Sequence, residues 1–193
     1  MWTASTATQT ATNESATGVA SSPDGSRTFV VGSRPSPRGD SDILITALNA
    51  ATGAPLWEHI LDGPIHGDDE GVALAVAPGG ASVYVLGRRQ RTTPTGARAF
   101  EFVTAAFRAS DGTLQWQAAF DGGSVLGAAA DAAPLAIAAS AGGVFVTGRA
   151  REGDSRQYLE CRRALVDALG VEPAEETSRL QAQILAGHPS ERR

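Results

Sequence analysis

Short runs of β-branched, aromatic and alanine residues recur along the first 148 positions, parted by turns rich in Gly, Pro and Asp. That patterning predicts strands rather than helices. Val72 to Ala77 alternates apolar residues with Ala, as a buried strand does. Pro78-Gly79-Gly80 follows as a turn, because Gly takes positive φ without steric cost. Val83 to Leu86 is the second strand, and Arg88 to Ala97 reads as a longer loop. Phe100 to Phe107 is the third strand. Ser110-Asp111-Gly112 is a hairpin signal, since Asp-Gly suits turns that match strand twist. Leu114 to Phe120, which carries Trp116, is the fourth.

The same unit occurs more than once. Ala47-Leu48-Asn49-Ala50-Ala51-Thr52-Gly53-Ala54-Pro55-Leu56-Trp57 matches Ala106-Phe107-Arg108-Ala109-Ser110-Asp111-Gly112-Thr113-Leu114-Gln115-Trp116 in the placing of Ala, Gly and Trp, at an offset of 59 residues. Three strands end on glycines spaced 55 and 61 apart: Phe29 to Gly32, Val83 to Gly87 and Val144 to Gly148. Trp2, Trp57 and Trp116, the only tryptophans, are spaced 55 and 59 apart. Units of four antiparallel strands at this period predict propeller blades. The strand around Trp2 is then the last of one unit. Two full units follow, and Leu135 to Ala139 with Val144 to Thr147 give two strands of another. Propellers need four or more blades around a channel. The expectation is therefore an incomplete propeller: a piece of a larger one, or a protomer that closes a ring with copies of itself.

Beyond Arg149 the pattern changes. Residues 1–148 carry 8 Arg against 13 acids; residues 149–193 carry 8 against 8 in a much shorter span. Asp154 or Ser155 can cap a helix. Tyr158, Cys161, Leu165, Ala168 and Leu169 fall at helical spacing, and Gly170 is a stop. Pro173 suits a first helical turn, and Ala174 to Ala186 sets Thr177, Leu180 and Ile184 on one stripe before Gly187. The expectation is a helical hairpin. The domains so read are partial propeller repeats over 1–150 and a helical tail over 151–193.

Composition narrows the chemistry. The 193 residues include one Cys, too few for a disulfide scaffold or a Cys-based zinc site. No apolar run approaches the roughly 20 residues of a bilayer-spanning helix. A net charge of −5 without a basic stretch argues against direct nucleic-acid contact as the main task. The chain has 35 Ala and 16 Arg but no Lys, which suggests a GC-rich bacterial genome. Positions 1–17 lack a basic segment and an apolar core, so no secretory signal is read there. A cytoplasmic location is favoured for the sequence as it stands, and a secreted one if further blades and a signal precede it.

No catalytic frame emerges. His59, His66 and His188 are isolated, and His59 is expected half-exposed on the Trp57 strand. Asp68-Asp69-Glu70 beside His66 could suggest a cation site, but adjacent acids point in different directions, and a solvated loop between strands is expected. Arg88-Arg89-Gln90-Arg91 reads as a solvated basic loop, and Arg38-Gly39-Asp40 as an adhesion tripeptide by coincidence in a polar turn. There is no Ser-His-Asp frame, nucleophile elbow or phosphate-binding glycine loop. The expectation is a non-enzymatic chain with no cofactor, metal or catalytic residues.

Two resemblances bear on these readings. Ala47, Asn49, Thr52-Gly53 and Trp57 resemble the tryptophan-docking repeat of pyrroloquinoline-quinone-like propellers, and the chain over about 1–150 is similar to bacterial propeller-repeat proteins with blades of this length. The second unit departs from the family, with Arg108 where Asp is usual. The resemblance implies that Trp2, Gly53, Trp57, Gly112 and Trp116 dock blades together, the indole burying area and its N–H seeking a backbone acceptor. It supplies no quinone site, because the related dehydrogenases use adjacent cysteines and a metal. Leu169-Gly170-Val171-Glu172-Pro173, then Leu180 and Ile184-Leu185, resembles the closing helices of the bacterial transcriptional activator domain over about 158–187. The expected function is a scaffold or binding module that contacts a protein or carbohydrate through blade loops, with self-association if the propeller is to close. The alternative is part of a transcriptional regulator whose helical tail makes protein contacts.

Overall fold

A computed structural model describes residues 14–121, 131–152 and 155–160. They form eleven strands in three antiparallel sheets. The first sheet holds β1 (Ser15–Ser21), β2 (Arg27–Pro35), β3 (Ser41–Asn49) and β4 (Pro55–Leu61), side by side in chain order. The second repeats the plan with β5 (Glu70–Val76), β6 (Ser82–Thr92), β7 (Arg98–Arg108) and β8 (Leu114–Phe120). The third consists of β9 (Asp131–Ser140), β10 (Gly143–Glu152) and β11 (Ser155–Glu160), with β10 in the middle. Both full units expected from the sequence are therefore four-stranded antiparallel sheets. The Trp2 strand lies outside the described residues.

The sheets are layered. β1 touches β5, and β5 touches β9, so the first strands of the three units run in a row. Alternation along each strand sends one set of side chains to each neighbouring sheet. Phe29, Val31, Ile43 and Ile45 meet Val83, Val85, Val103 and Phe107 between the first two sheets. Leu86 and Phe102 meet Ala132 and Val146 between the second and third. β-Branched and aromatic residues suit such surfaces because both faces of the second sheet are covered.

The recurring glycine at the end of the second strand has a steric cause. The pairing of first and second strand slips by one residue at Ala16/Gly18, Gly71/Ala73 and Thr147/Gly148. At each slip a backbone carbonyl presses on the glycine. A methyl built on Gly87 would stand 2.8 Å from the Glu70 carbonyl oxygen, and one on Gly148 would stand 2.6 Å from that of Ala133. Bulges of this sort bend the strand and admit only a residue without a side chain.

Two expectations need correction. Ser155–Glu160 is not the start of a helix: it pairs residue by residue with Thr147–Glu152 of β10. Helical spacing of Tyr158 is overridden because an adjacent strand edge offers each backbone group a partner. The proposed helices over 161–193 lie outside the described residues. The loop expected from Arg88 is also shorter, since β6 continues to Thr92 against β7, and only Thr93 to Ala97 turns, closed by the Thr93 N–H donating to the Ala97 carbonyl at 2.8 Å.

Candidate functional site

The periodic tryptophans mark the first feature. Trp57 sits on β4 opposite Ala47 and leans out of its own sheet. Its ring lies 5.9 Å from Phe29 in the first sheet and 6.4 Å from Phe107 in the second. The indole N–H donates to the Ala109 carbonyl of the second sheet at 3.1 Å. Gly112 admits the ring: a methyl there would come within 2.7 Å of the indole. Gly112 also holds φ at +75°, a left-handed turn conformation that Gly adopts freely. Gly53 occupies the matching turn of the first sheet at φ +74°. Trp116 stands on β8 opposite Ala106, with its ring 6.1 Å from Tyr84. His59 is half-buried on β4, 5.0 Å from the Phe107 ring. Among the sequence-predicted residues, the structure joins Trp57 to Gly112. It keeps Trp116 apart, one sheet further along, and Trp2 lies outside the described residues.

The second feature is a carboxylate cluster where the first sheet hands over to the second. Asp42 lies on β3, Asp62 just past β4 and Asp69 just before β5. One carboxylate oxygen of each lies within 4.8 Å of the others. Asp69 is only 1% exposed, which corrects the expectation of a solvated loop. The chain buries it because its carboxylate serves as a fastener. Asp69 Oδ2 accepts the Gly63 N–H at 2.5 Å, and Oδ1 accepts the Gln90 N–H at 3.0 Å. The Asp69 N–H donates to the Ser41 carbonyl at 2.7 Å. One residue thus ties β3, the β4–β5 connection and β6 together. His66 enters the same connection at φ +49°, with Nδ1 2.5 Å from Asp62 Oδ2.

The electrostatics follow from burial. Asp69 is pushed up to about 6, chiefly by loss of solvent, against two backbone N–H groups that favour its charged form. Asp42 is also raised, by burial first and then by the negative charge of Asp62. Its Oδ1 is buried without a hydrogen-bond partner. Three gathered oxygens could contribute to holding a cation. A hard cation such as Ca²⁺ takes six to eight, so backbone or water would have to supply about half. Sequence reading missed the cluster because Asp42 and Asp62 come from other strands. The visible Asp68-Asp69-Glu70 run contributes only its middle member.

The basic stretch on β6 is occupied with acids. Arg88 pairs with Glu70 at 2.8 Å and lies 4.5 Å over the Phe100 ring. Arg89 pairs with Glu101 at 2.5 Å, and Arg91 lies 3.9 Å from Glu101 and 3.8 Å from Asp121. This corrects the solvated-loop reading. Arg38 and Gly39 sit in a turn closed by the Gly39 N–H donating to the Ser36 carbonyl.

No protein-family model matches the chain, and no curated protein or solved structure matches it either.

Proposed function

We propose that the chain is a run of propeller-type blades that serves as a non-enzymatic binding scaffold, of the kind found in pyrroloquinoline-quinone-like repeats. The observation that supports it is the bridge from Trp57 on one sheet to Ala109 and Gly112 on the next. The periodic Trp and the periodic Gly belong to successive units and meet in space. Those residues hold blades together and leave the connecting turns to contact a protein or carbohydrate. The reading assigns no cofactor, metal or catalytic group.

Hydrogen exchange on Trp57→Ala tests the blade reading. Protection should fall in β2–β3 and β6–β7 together, because the indole belongs to both sheets. Loss confined to β4 would sink it. Titration with pyrroloquinoline quinone and Ca²⁺ tests the absence of enzyme chemistry: saturable binding with dye reduction would overturn it. The regulator alternative rests on the resemblance of the tail. It requires that removing residues 161–193 abolish partner binding and spare the sheets.

A further inference from the structure

We propose that β8 joins two copies of this chain edge to edge, pairing antiparallel with β8 of the second copy about Gln117. The inference stands on sheet order and strand composition and does not depend on the blade reading. The first strands of the three units lie beside one another in the β1–β5–β9 row, which leaves β4 and β8 as the outer edges of the two full sheets. Among the described residues no strand pairs with the far side of either. An unpaired edge presents a row of backbone N–H and C=O groups to any strand that can lie along it. The two edges differ in how they are guarded. Both strands have seven residues, and both pair with the third strand of their sheet through the same one-residue slip. On β4, Pro55 withholds a donor, and Glu58, the middle residue, carries a charge and accepts the Arg34 guanidinium at 2.9 Å. β8 reads Leu-Gln-Trp-Gln-Ala-Ala-Phe, with no charge, no Pro and no Gly. Gln117 stands where β4 has Glu58, one offset of 59 residues later. Leu114 is 40% exposed, and Gln115, Gln117 and Ala119 are exposed as well.

The sequence of β8 selects a second copy as the occupant, because the strand complements itself. Antiparallel pairing about its middle residue sets Gln117 of one copy against Gln117 of the other, where two neutral amides can exchange hydrogen bonds. The same register sets Trp116 of each copy against Ala118 of the other, so a large side chain meets a small one twice over. Both positions are half-buried, and the Trp116 ring is already braced by Tyr84 at 6.1 Å. No charge opposes another anywhere along the strand. The same operation on β4 would set Glu58 against Glu58, a like-charge pair that opposes association. Backbone hydrogen bonds along the edge supply affinity, and the fit of Trp116 to Ala118 supplies register. The two four-stranded sheets become one continuous sheet. Each copy offers the same patch, so the contact closes as a two-fold dimer and goes no further.

Sedimentation of the full chain over a range of concentrations tests this. The expected result is a single step from one copy to two, with association weakened about fivefold by Gln117→Glu, which gives β8 the guard that β4 has. Gln117→Arg should weaken it to a similar degree. Mixing the two variants should restore the dimer, because position 117 then faces an opposite charge across the two-fold. In a Cys161→Ser background, Gln117→Cys should form a disulfide between copies. Gln117 is exposed, so these substitutions leave the core in place. A chain that stays single at every concentration leaves the edge to an unrelated strand and overturns the proposal. An oligomer that Gln117→Glu does not weaken, or a mixture of the two charged variants that associates no better than either alone, overturns it as well.

Discussion

The two junctions between sheets follow one plan with different side chains. At the first, the Cδ1 methyl of Ile43 enters the space over Gly87, 2.5 Å from where a methyl on that glycine would stand. At the second, Phe102 enters over Gly148, and a methyl there would overlap its ring. Ile43 and Phe102 hold the same place on the third strand, and Gly87 and Gly148 the same place on the next sheet's second strand. A single flexible methyl fills one socket and a rigid ring the other. The repeat therefore conserves the hole and lets the plug vary, which is how sequences that differ this much give sheets with the same strand order.

Removing the indole gives the largest expected effect on this comparison. Trp57 joins both sheets at the first junction, so Trp57→Ala should cost about 3 kcal/mol in denaturant unfolding. Trp57→Phe keeps most of the packing but leaves the Ala109 carbonyl without its donor, and should cost about 1 kcal/mol. Equal losses for the two variants would mean that the hydrogen bond, rather than the packing, carries the junction.

The glycine sockets come next. Gly148→Ala meets a ring and a backbone carbonyl, neither of which moves easily, and should destabilise by about 2–3 kcal/mol. Gly87→Ala meets the end of a flexible Ile side chain as well as the Glu70 carbonyl, and should cost nearer 1 kcal/mol. Pairing Gly148→Ala with Phe102→Leu should recover part of the loss, because the branched side chain can step aside. A double variant no better than Gly148→Ala would assign the whole effect to the Ala133 carbonyl.

Much of this was legible from the sequence, for a reason that also sets its limit. Gly53, Trp57, Gly112 and Trp116 announce themselves because Gly and Trp recur together at an offset of 59 residues, and strand alternation does the same for the two full sheets. Three features escaped. Asp69 looks solvated beside Asp68 and Glu70; its burial depends on Gly63 and Gln90, which no local pattern links to it. Arg88 to Thr92 looks like a charged loop, yet it is strand, because Glu70, Glu101 and Asp121 neutralise its arginines from three other segments. Ser155–Glu160 has helical spacing, and only the free edge of β10 makes it a strand. Periodicity reports what repeats, and these residues depend on partners that do not.

The smallest predicted effect separates buried from exposed carboxylates by the sign of their pH dependence. Asp69 is held near 6 in the fold against an ordinary 3.8, so the folded state retains a proton that the unfolded chain has released. Its contribution to stability should fall as pH rises from about 4 to about 6, and stay level above. Asp111 is the reverse. Its carboxylate accepts the Thr113 hydroxyl and N–H at 2.6 and 2.9 Å and the Arg108 guanidinium at 3.0 Å, which draws it down to about 2. What it contributes is complete above about 4 and is lost as pH falls toward 2. Denaturant midpoints measured from pH 2.5 to 7 check both. Asp69→Asn should flatten the decline between pH 4 and 6, leaving a remainder from Asp42, which is raised for the same reason. Asp111→Asn should flatten only the acid limb. If Asp69→Asn instead tracked wild type across the whole range, the buried carboxyl would be exchanging its proton as freely as one in water. The two backbone hydrogen bonds that favour its charged form would then have to offset the whole effect of burial.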